Sequence, residues 1–472
     1  MATTKAKKTS GSRNRKDYGT IFLVIAIVLV LTLTVYVTAD GLLHRTNLLT
    51  DKSFINSMAS VLNKYPAGIT QKDLDEIKII VFEANPYSDG YSLALGRDDA
   101  LGLIKKNEAD AEARRNDPDY SAENGEEFDF DAPSVEDLLV SALSEDNIKD
   151  FSSLSLFKNL EYLVVNGPDP GYSPDSLKEL RDLSFLESLT SLTNLRLSNI
   201  GASDFSPVAK LTPLKSLTIM YCLIGDPSVF ESLNSLESLN LTVTPGVSDI
   251  SFVSSLGNIR DLYMRGNGIE DISPLKDLTN IRDLYLDSNQ ISDVSALSGL
   301  TSLNNLNLSD NGITDIEPLS GLTALKELYL SGNDIDDASP IFNLSSLTDL
   351  RIGANNLTGI DGIENCAALE TFYADENNII DISPLASLKN LSMLSLNDNN
   401  ILGVGPLAGL ENLAVVYLDA NFIEDFSVLD SLEESGVYIS GRDAQKFDFG
   451  NPDDFDDSGD ISDISNGEDG GE

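Results

Sequence analysis

The chain has 472 residues and a formal net charge of −44, from 76 acidic against 32 basic side chains. That excess argues against nucleic acid as a partner, because phosphate contacts need Lys and Arg, and favours a basic or cation-bridged partner if charge steers binding. There is one histidine and there are two cysteines, which leaves little material for nucleophile–base pairs or metal clusters.

Residues 1–17 form a basic tail carrying Lys5, Lys7, Lys8, Arg13, Arg15 and Lys16. From Tyr18 to Ala39 no residue is charged, and the stretch is long enough to span the hydrocarbon core of a bilayer. Residues 18–39 are therefore expected to be a transmembrane helix acting as an uncleaved signal anchor. The basic flank stays cytoplasmic and everything downstream is extracellular. Cleavage near Ala39, after a signal peptide, is the competing reading and would secrete the chain. The apolar run exceeds the usual signal-peptide core, which favours retention.

Residues 40–106 read as a membrane-proximal cap or minidomain. Helical spacing runs from Phe54 to Leu62, and Ile69 to Phe82 suits a small helix followed by a strand. Residues 107–133 are acidic and poor in apolar side chains, and read as a flexible linker. Residues 134–442 then form one repeat domain. It opens on a capping helix with Ser134 as N-cap and Asp137 at the third helical position, running towards Leu143.

Within that domain asparagine recurs every 22 residues, at Asn267, Asn289, Asn311, Asn333, Asn355, Asn377, Asn399 and Asn421. A fixed period of this length marks a solenoid. In each unit two apolar residues alternate with outward ones, as in Leu284 and Leu286, Leu306 and Leu308, Leu328 and Leu330, Phe372 and Ala374. Period-two alternation predicts a short strand with one buried face, stacked on the next as a parallel sheet. The return path reads D-I-S-P-L, as at Asp271 to Leu275 and Asp381 to Leu385. Proline there disfavours a long helix, so tight 3₁₀ or extended turns are expected on the convex side. The asparagine side chain has both a donor and an acceptor, so it can satisfy the buried turns above and below its own rung. Its role is scaffold.

The frame continues backwards through Leu239 and Leu241, Leu217 and Ile219, Leu195 and Leu197, to Leu163 and Val165. Asn is missing there and Cys222 fills one ladder position. A projecting loop is expected around GPDPGYSPDS, residues 167–176. At the far end Val437 and Ile439 fall one residue out of frame. About twelve rungs at ~4.8 Å each give a stack of about 55 Å. Residues 443–472 are an acidic tail expected to be disordered, and they lack the ligand spacing of an EF-hand loop.

The unit LxxLxLxxNxIxDIxPL, clear in Gly266 to Leu275, resembles the leucine-rich repeats of the bacterial internalin type. The resemblance covers about 155 to 440. It implies an α/β leucine-rich repeat solenoid with a curved parallel sheet and a 3₁₀ or extended convex side, here with an N-terminal transmembrane helix. It also implies binding of proteins by the concave sheet. No LPxTG sorting motif stands near the C-terminus.

The strand residues that face away from the core are readable. One column holds Tyr263, Tyr285, Asn307, Tyr329, Arg351, Tyr373, Ser395 and Tyr417. Its neighbour holds Asp261, Asp283, Asn305, Glu327, Asp349 and Thr371. Tyrosine gives rigid contact area with a polar end. The candidate protein-binding residues are Tyr263, Tyr285, Tyr329, Arg351, Tyr373, Tyr417, Asp283, Glu327 and Asp349. The tyrosines are expected to be exposed in register, with Arg265 and Arg351 as isolated positive charges. The alternative reading, repeats duplicated with a favourable strand residue, also accounts for the column. A carbohydrate or cell-wall ligand is the alternative partner. No enzyme is expected, and no cofactor or metal. His44 lies outside the repeats, Cys222 and Cys366 are too far apart to pair, and no carboxylate pair stands out from the many.

Overall fold

In a computed structural model the described residues are 52–62, 64, 69–84, 91–96, 100–101, 150–168, 180–442 and 445. The basic tail, the 18–39 segment, His44, the 107–133 linker, the helix expected from Ser134 to Leu143, the projecting loop from 169 and the acidic tail apart from Gln445 lie outside them. Among the described residues no helix is long and apolar enough to cross a membrane.

Among the described residues one sheet has fifteen strands, of which the repeats supply thirteen. From β3 (Tyr162–Asn166) to β15 (Tyr438–Ser440) every neighbour pair is parallel and consecutive in the chain. A parallel pair needs a crossover between its strands. Among the described residues most crossovers turn through a short 3₁₀ segment such as Ser273–Leu275 or Ser295–Leu297. One coil shows why the sequence closes this way. After β8 (Asp283–Tyr285) the side chains of Leu286, Ile291, Val294, Leu297, Leu300 and Leu303 all lie at 0–1% exposure. Apolar residues every two to five positions point to the coil axis, and no single one could be buried without the rungs on either side.

The convex turns are also set by local chemistry. The aspartate of D-I-S-P-L turns its carboxylate onto the amide two residues later, Asp271 to Ser273 at 2.8 Å and Asp381 to Ser383 at 2.8 Å. The same bond recurs at Asp204, Asp249, Asp293, Asp315, Asp337 and Asp425. An Asx bond of this kind starts a turn, so aspartate and proline together specify the 3₁₀ return. These bonds hold Asp249 and Asp293 below the usual carboxylate range.

Two departures from the 22-residue frame have structural causes. Between β6 (Ser238–Asn240) and β7 (Asp261–Tyr263) the register step is 23 residues. The extra residue sits in a turn where Gly246 adopts φ +99°, with room for no side chain: a Cβ would stand 2.0 Å from the Ile224 carbonyl oxygen. Between β14 (Val415–Tyr417) and β15 the step is again 23. There a true helix, Ser427–Glu434, replaces the 3₁₀ turn. The out-of-frame end repeat still closes the sheet, with Ile439 opposite Val416.

At the other end the described residues between 52 and 101 form a cap continuous with the solenoid. Helix α1 (Lys52–Val61), the short α2 (Gln71–Asp75) and β1 (Ile79–Ala84) form as the spacing suggested. β1 pairs parallel with β3, and β2 (Tyr91–Gly96) folds back antiparallel as the sheet edge. Phe54 packs on Phe82 and Phe157 at 6.1 and 6.0 Å between ring centroids, and Phe82 on Phe151 at 4.8 Å. Aromatic packing therefore shields the first coil.

Candidate functional site

The asparagine ladder fixes the strands that carry the site. Asn377, at 6% exposure, shows the pattern. Its Oδ1 accepts from the Leu357 amide at 3.0 Å, and its Nδ2 donates to the carbonyls of Ile352, Ala374 and Asp375 at 3.0–3.2 Å. Asn289, Asn333 and Asn399 repeat it. The bonds therefore run to the asparagine's own rung and to the one before, rather than above and below as the residue type alone suggested. Where Asn is absent, Thr244 donates its hydroxyl to the Ile219 carbonyl at 2.9 Å, and the Cys222 thiol faces the Met220 carbonyl at 3.2 Å. At the C-terminal end Gln445 takes over. Its Oε1 accepts from the Ile423 amide at 3.0 Å and its Nε2 donates to the Leu418 carbonyl at 2.9 Å. Cys366 is fully buried, and burial pushes its thiol up to about 11, so it is an inert core residue.

On this frame the two outward columns align rung by rung. Asp261, Asp283, Asn305, Glu327, Asp349 and Thr371 are successive partners in one file, and Tyr263, Tyr285, Asn307, Tyr329, Arg351 and Tyr373 in the next, continuing to Ser395 and Tyr417. All nine predicted residues lie on this one face. They are less exposed than expected. The tyrosines are half-buried, and Asp283 is only 4% exposed. The reason is mutual cover. At ~4.8 Å between rungs large side chains in register must lean on each other, and Tyr263 and Tyr285 stack at 5.1 Å and 23°.

Nor are the two arginines isolated. Arg351 forks onto Asp349, Nε to Oδ1 at 3.3 Å and Nη2 to Oδ2 at 3.1 Å. Its guanidinium lies between the rings of Tyr329 and Tyr373, at 4.8 and 5.1 Å from their centroids. Such a sandwich combines a bidentate ion pair with two cation–π contacts. Arg265 pairs with Asp287 at 3.0 Å. Period-two reasoning orders the columns but cannot show that a long side chain will reach its own rung's acid.

Electrostatically the centre of the face is unusual. Burial, and then the neighbouring Asp349, push the Glu327 carboxyl up to about 7, against the hydrogen bond it accepts from the Tyr329 hydroxyl at 3.0 Å. Burial also raises Asp349, which the Arg351 bonds hold back, and raises the phenols of Tyr285, Tyr329 and Tyr373. The Asp283 carboxylate accepts from the Asn305 amide at 2.6 Å.

A third column was missed in the sequence. Two residues beyond the tyrosine file stand Asp287, Asp375, Asn397 and Asp419. Asp375 accepts from the Asn397 amide at 2.9 Å and from the Ser395 hydroxyl; Asn397 in turn accepts from the Asp419 amide at 2.7 Å. The recurrence of Asp and Asn two places after the tyrosine position was the available signal. The face offers aromatic surface, carboxylates and amides, and it can bind by contact. Among the described residues no group of three or more His, Cys, Asp or Glu is placed to hold a metal ion.

The comparisons fall on the same repeats. A family model described as leucine-rich repeats matches residues 257–299 and 301–343. No curated protein sequence matches the chain. Among solved structures the chain is similar to an internalin (inlF) of Listeria monocytogenes, at 26% identity and TM-score 0.63, covering 87% of this chain and 99% of that one. It is similar to internalin C2 of the same organism at 42% identity, covering 40% of this chain and 82% of that one, with TM-score 0.38. A leucine-rich repeat protein of Leptospira interrogans shares the fold at 20% identity and TM-score 0.54, covering 62% of this chain and 82% of that one.

Proposed function

We propose, for a chain that belongs to the internalin-type leucine-rich repeat proteins, that it is a membrane-anchored extracellular binder whose concave sheet holds another protein. Residues 18–39 anchor it, the basic tail 1–17 stays inside, and the repeats stand outside the cell. Adhesion, envelope scaffolding and sensing are the roles that such a tethered array can serve. The anchor rests on the uncharged run from Tyr18 to Ala39 and the orientation on the flanking Lys and Arg.

One observation carries the binding face: the half-buried file from Tyr263 to Tyr417, braced by the Tyr329–Arg351–Tyr373 sandwich. Rings already held by their neighbours lose little freedom when a partner lands on them, so more of the contact energy appears as affinity. Tyrosine and arginine are also the residues in which binding energy concentrates.

Crosslinking on the native cells tests this. The intact protein is compared with a variant in which Tyr285, Tyr329 and Tyr373 are all alanine, with circular dichroism confirming the fold. The expected result is a protein partner lost only in the variant. An unchanged partner in a folded variant overturns the concave face. A glycan reading takes over if neither form captures a protein and isolated wall polysaccharide pulls down the wild type alone.

A further inference from the structure

Resting on that reading, we infer that the concave face docks a basic segment of its partner, seating an arginine or lysine side chain against Glu327 between the rungs of Tyr285 and Tyr329. The chain already seats a cation of its own on this face. Arg351 occupies the tyrosine column with Tyr329 on one side and Tyr373 on the other, and forks onto Asp349 of its own rung. This surface thus already holds one guanidinium, with a carboxylate and two rings as its seat.

The register repeats that setting two rungs earlier without the cation. Asn307 stands between Tyr285 and Tyr329 as Arg351 stands between Tyr329 and Tyr373. Beside it Asn305 stands between Asp283 and Glu327. Asparagine is short and neutral, so this rung supplies no charge to its neighbours. Among the described residues the Glu327 carboxylate makes one side-chain bond, from the Tyr329 hydroxyl, and no ion pair. Arg351 is already committed to Asp349. A half-buried carboxylate flanked by rings and other carboxylates is complemented by a positive side chain, and the charge of −44 steers such a partner towards it.

The groups that face Glu327 are Asp349, Tyr329, Asp283 and Arg351, and burial with the two carboxylates keeps its proton on to about pH 7. An incoming cation favours the ionised form, so binding releases that proton and strengthens as pH rises through neutrality. The probe is a fluorescein-labelled peptide of alternating glycine and arginine, added to the full chain, with the citrulline peptide as its neutral isostere. The expected results are binding of the arginine peptide at least about tenfold tighter than the citrulline one, and about fivefold tighter near pH 8 than near pH 6. Glu327→Gln should lose about fivefold and flatten the pH dependence, while Glu411→Gln, which removes the same charge at an exposed position away from the concave strands, stays within about twofold. Equal losses in the two variants would reveal diffuse attraction and overturn the inference, as would equal binding of the citrulline peptide or none of the arginine one. If the peptide fails while the triple tyrosine variant still loses its crosslinked partner, the concave face stands and only the cationic anchor falls.

Discussion

Replacing Asn377 by alanine tests whether the ladder is the scaffold. Its amide is 6% exposed and makes four bonds. Alanine leaves the Leu357 amide and the Ile352 carbonyl without those partners inside the coil. A buried polar group that loses its partner costs about 1–3 kcal/mol, so two give about 2–6 kcal/mol. Asn267 is the internal control. It bonds the Thr244 amide at 2.7 Å and the Leu241 carbonyl at 2.6 Å, but it is half-buried. Water can replace its amide, so Asn267→Ala should cost about 1–2 kcal/mol. Asn377→Thr should fall between, because Thr244 shows a hydroxyl making the donor half of the ladder. Urea unfolding followed by circular dichroism gives the stabilities, and amide exchange at Leu357 gives the local effect. Equal costs at Asn377 and Asn267, with Leu357 exchange unchanged, would refute the reasoning.

Glu327→Gln should stabilise the fold in alkali. A carboxyl raised to about 7 binds its proton more tightly when folded, so wild-type stability is full below the ordinary carboxylate pKa and declines as pH rises through 7. The variant should gain about 1–3 kcal/mol at about pH 8.5 and nothing near pH 4, read from urea midpoints across pH. Gly246→Ala places a Cβ 2.0 Å from the Ile224 carbonyl oxygen at φ +99°; thermal melts should show a loss of about 3 kcal/mol or more, and a loss under about 1 kcal/mol would mean the 23-residue rung can open. Gln445→Ala should speed amide exchange at Ile423 while leaving Leu357 untouched, a local loss of about 1 kcal/mol at the last rung.

Much of this was legible because one physical demand repeats. Leu284, Leu306 and Leu328 recur at the same interval because each must reach the coil axis, and Asn289 to Asn421 because each turn must satisfy the same amides. Which side chains shared the concave face followed from alternation alone. What did not follow was anything decided by reach or by a single change of length. The 23-residue step at Gly246 passes unnoticed between apolar positions, and although Val437 and Ile439 show the frame slip at the far end, the helix Ser427–Glu434 that causes it is not marked by the apolar pattern. Gln445 completes the ladder from a position that no asparagine period predicts. The pairing of Arg351 with Asp349, and the cover that makes Asp283 buried, depend on side chains leaning across rungs. Periodicity assigns a residue to a face and leaves its partner open. The turn aspartates were legible as a motif, but proline drew the explanation that belongs jointly to the Asx bond.

Repeat duplication does not account for the whole tyrosine column. Copying a repeat would spread tyrosine along the column without further change, and for Tyr263 and Tyr285 it is a sufficient account. It is insufficient three rungs beyond Tyr285. There tyrosine gives way to Arg351, and its cross-column neighbour is an acid in bidentate reach, with the tyrosines of both adjacent rungs against the guanidinium. Asn307 breaks the column on the other side of Tyr329 without any such compensation. The core demands nothing at these positions, because the intervening Leu306, Leu328 and Leu350 carry the burial. Differences between rungs are therefore free to be chemical. The uncompensated rung, with Glu327 beside it, is where the surface has most to gain from a partner's side chain.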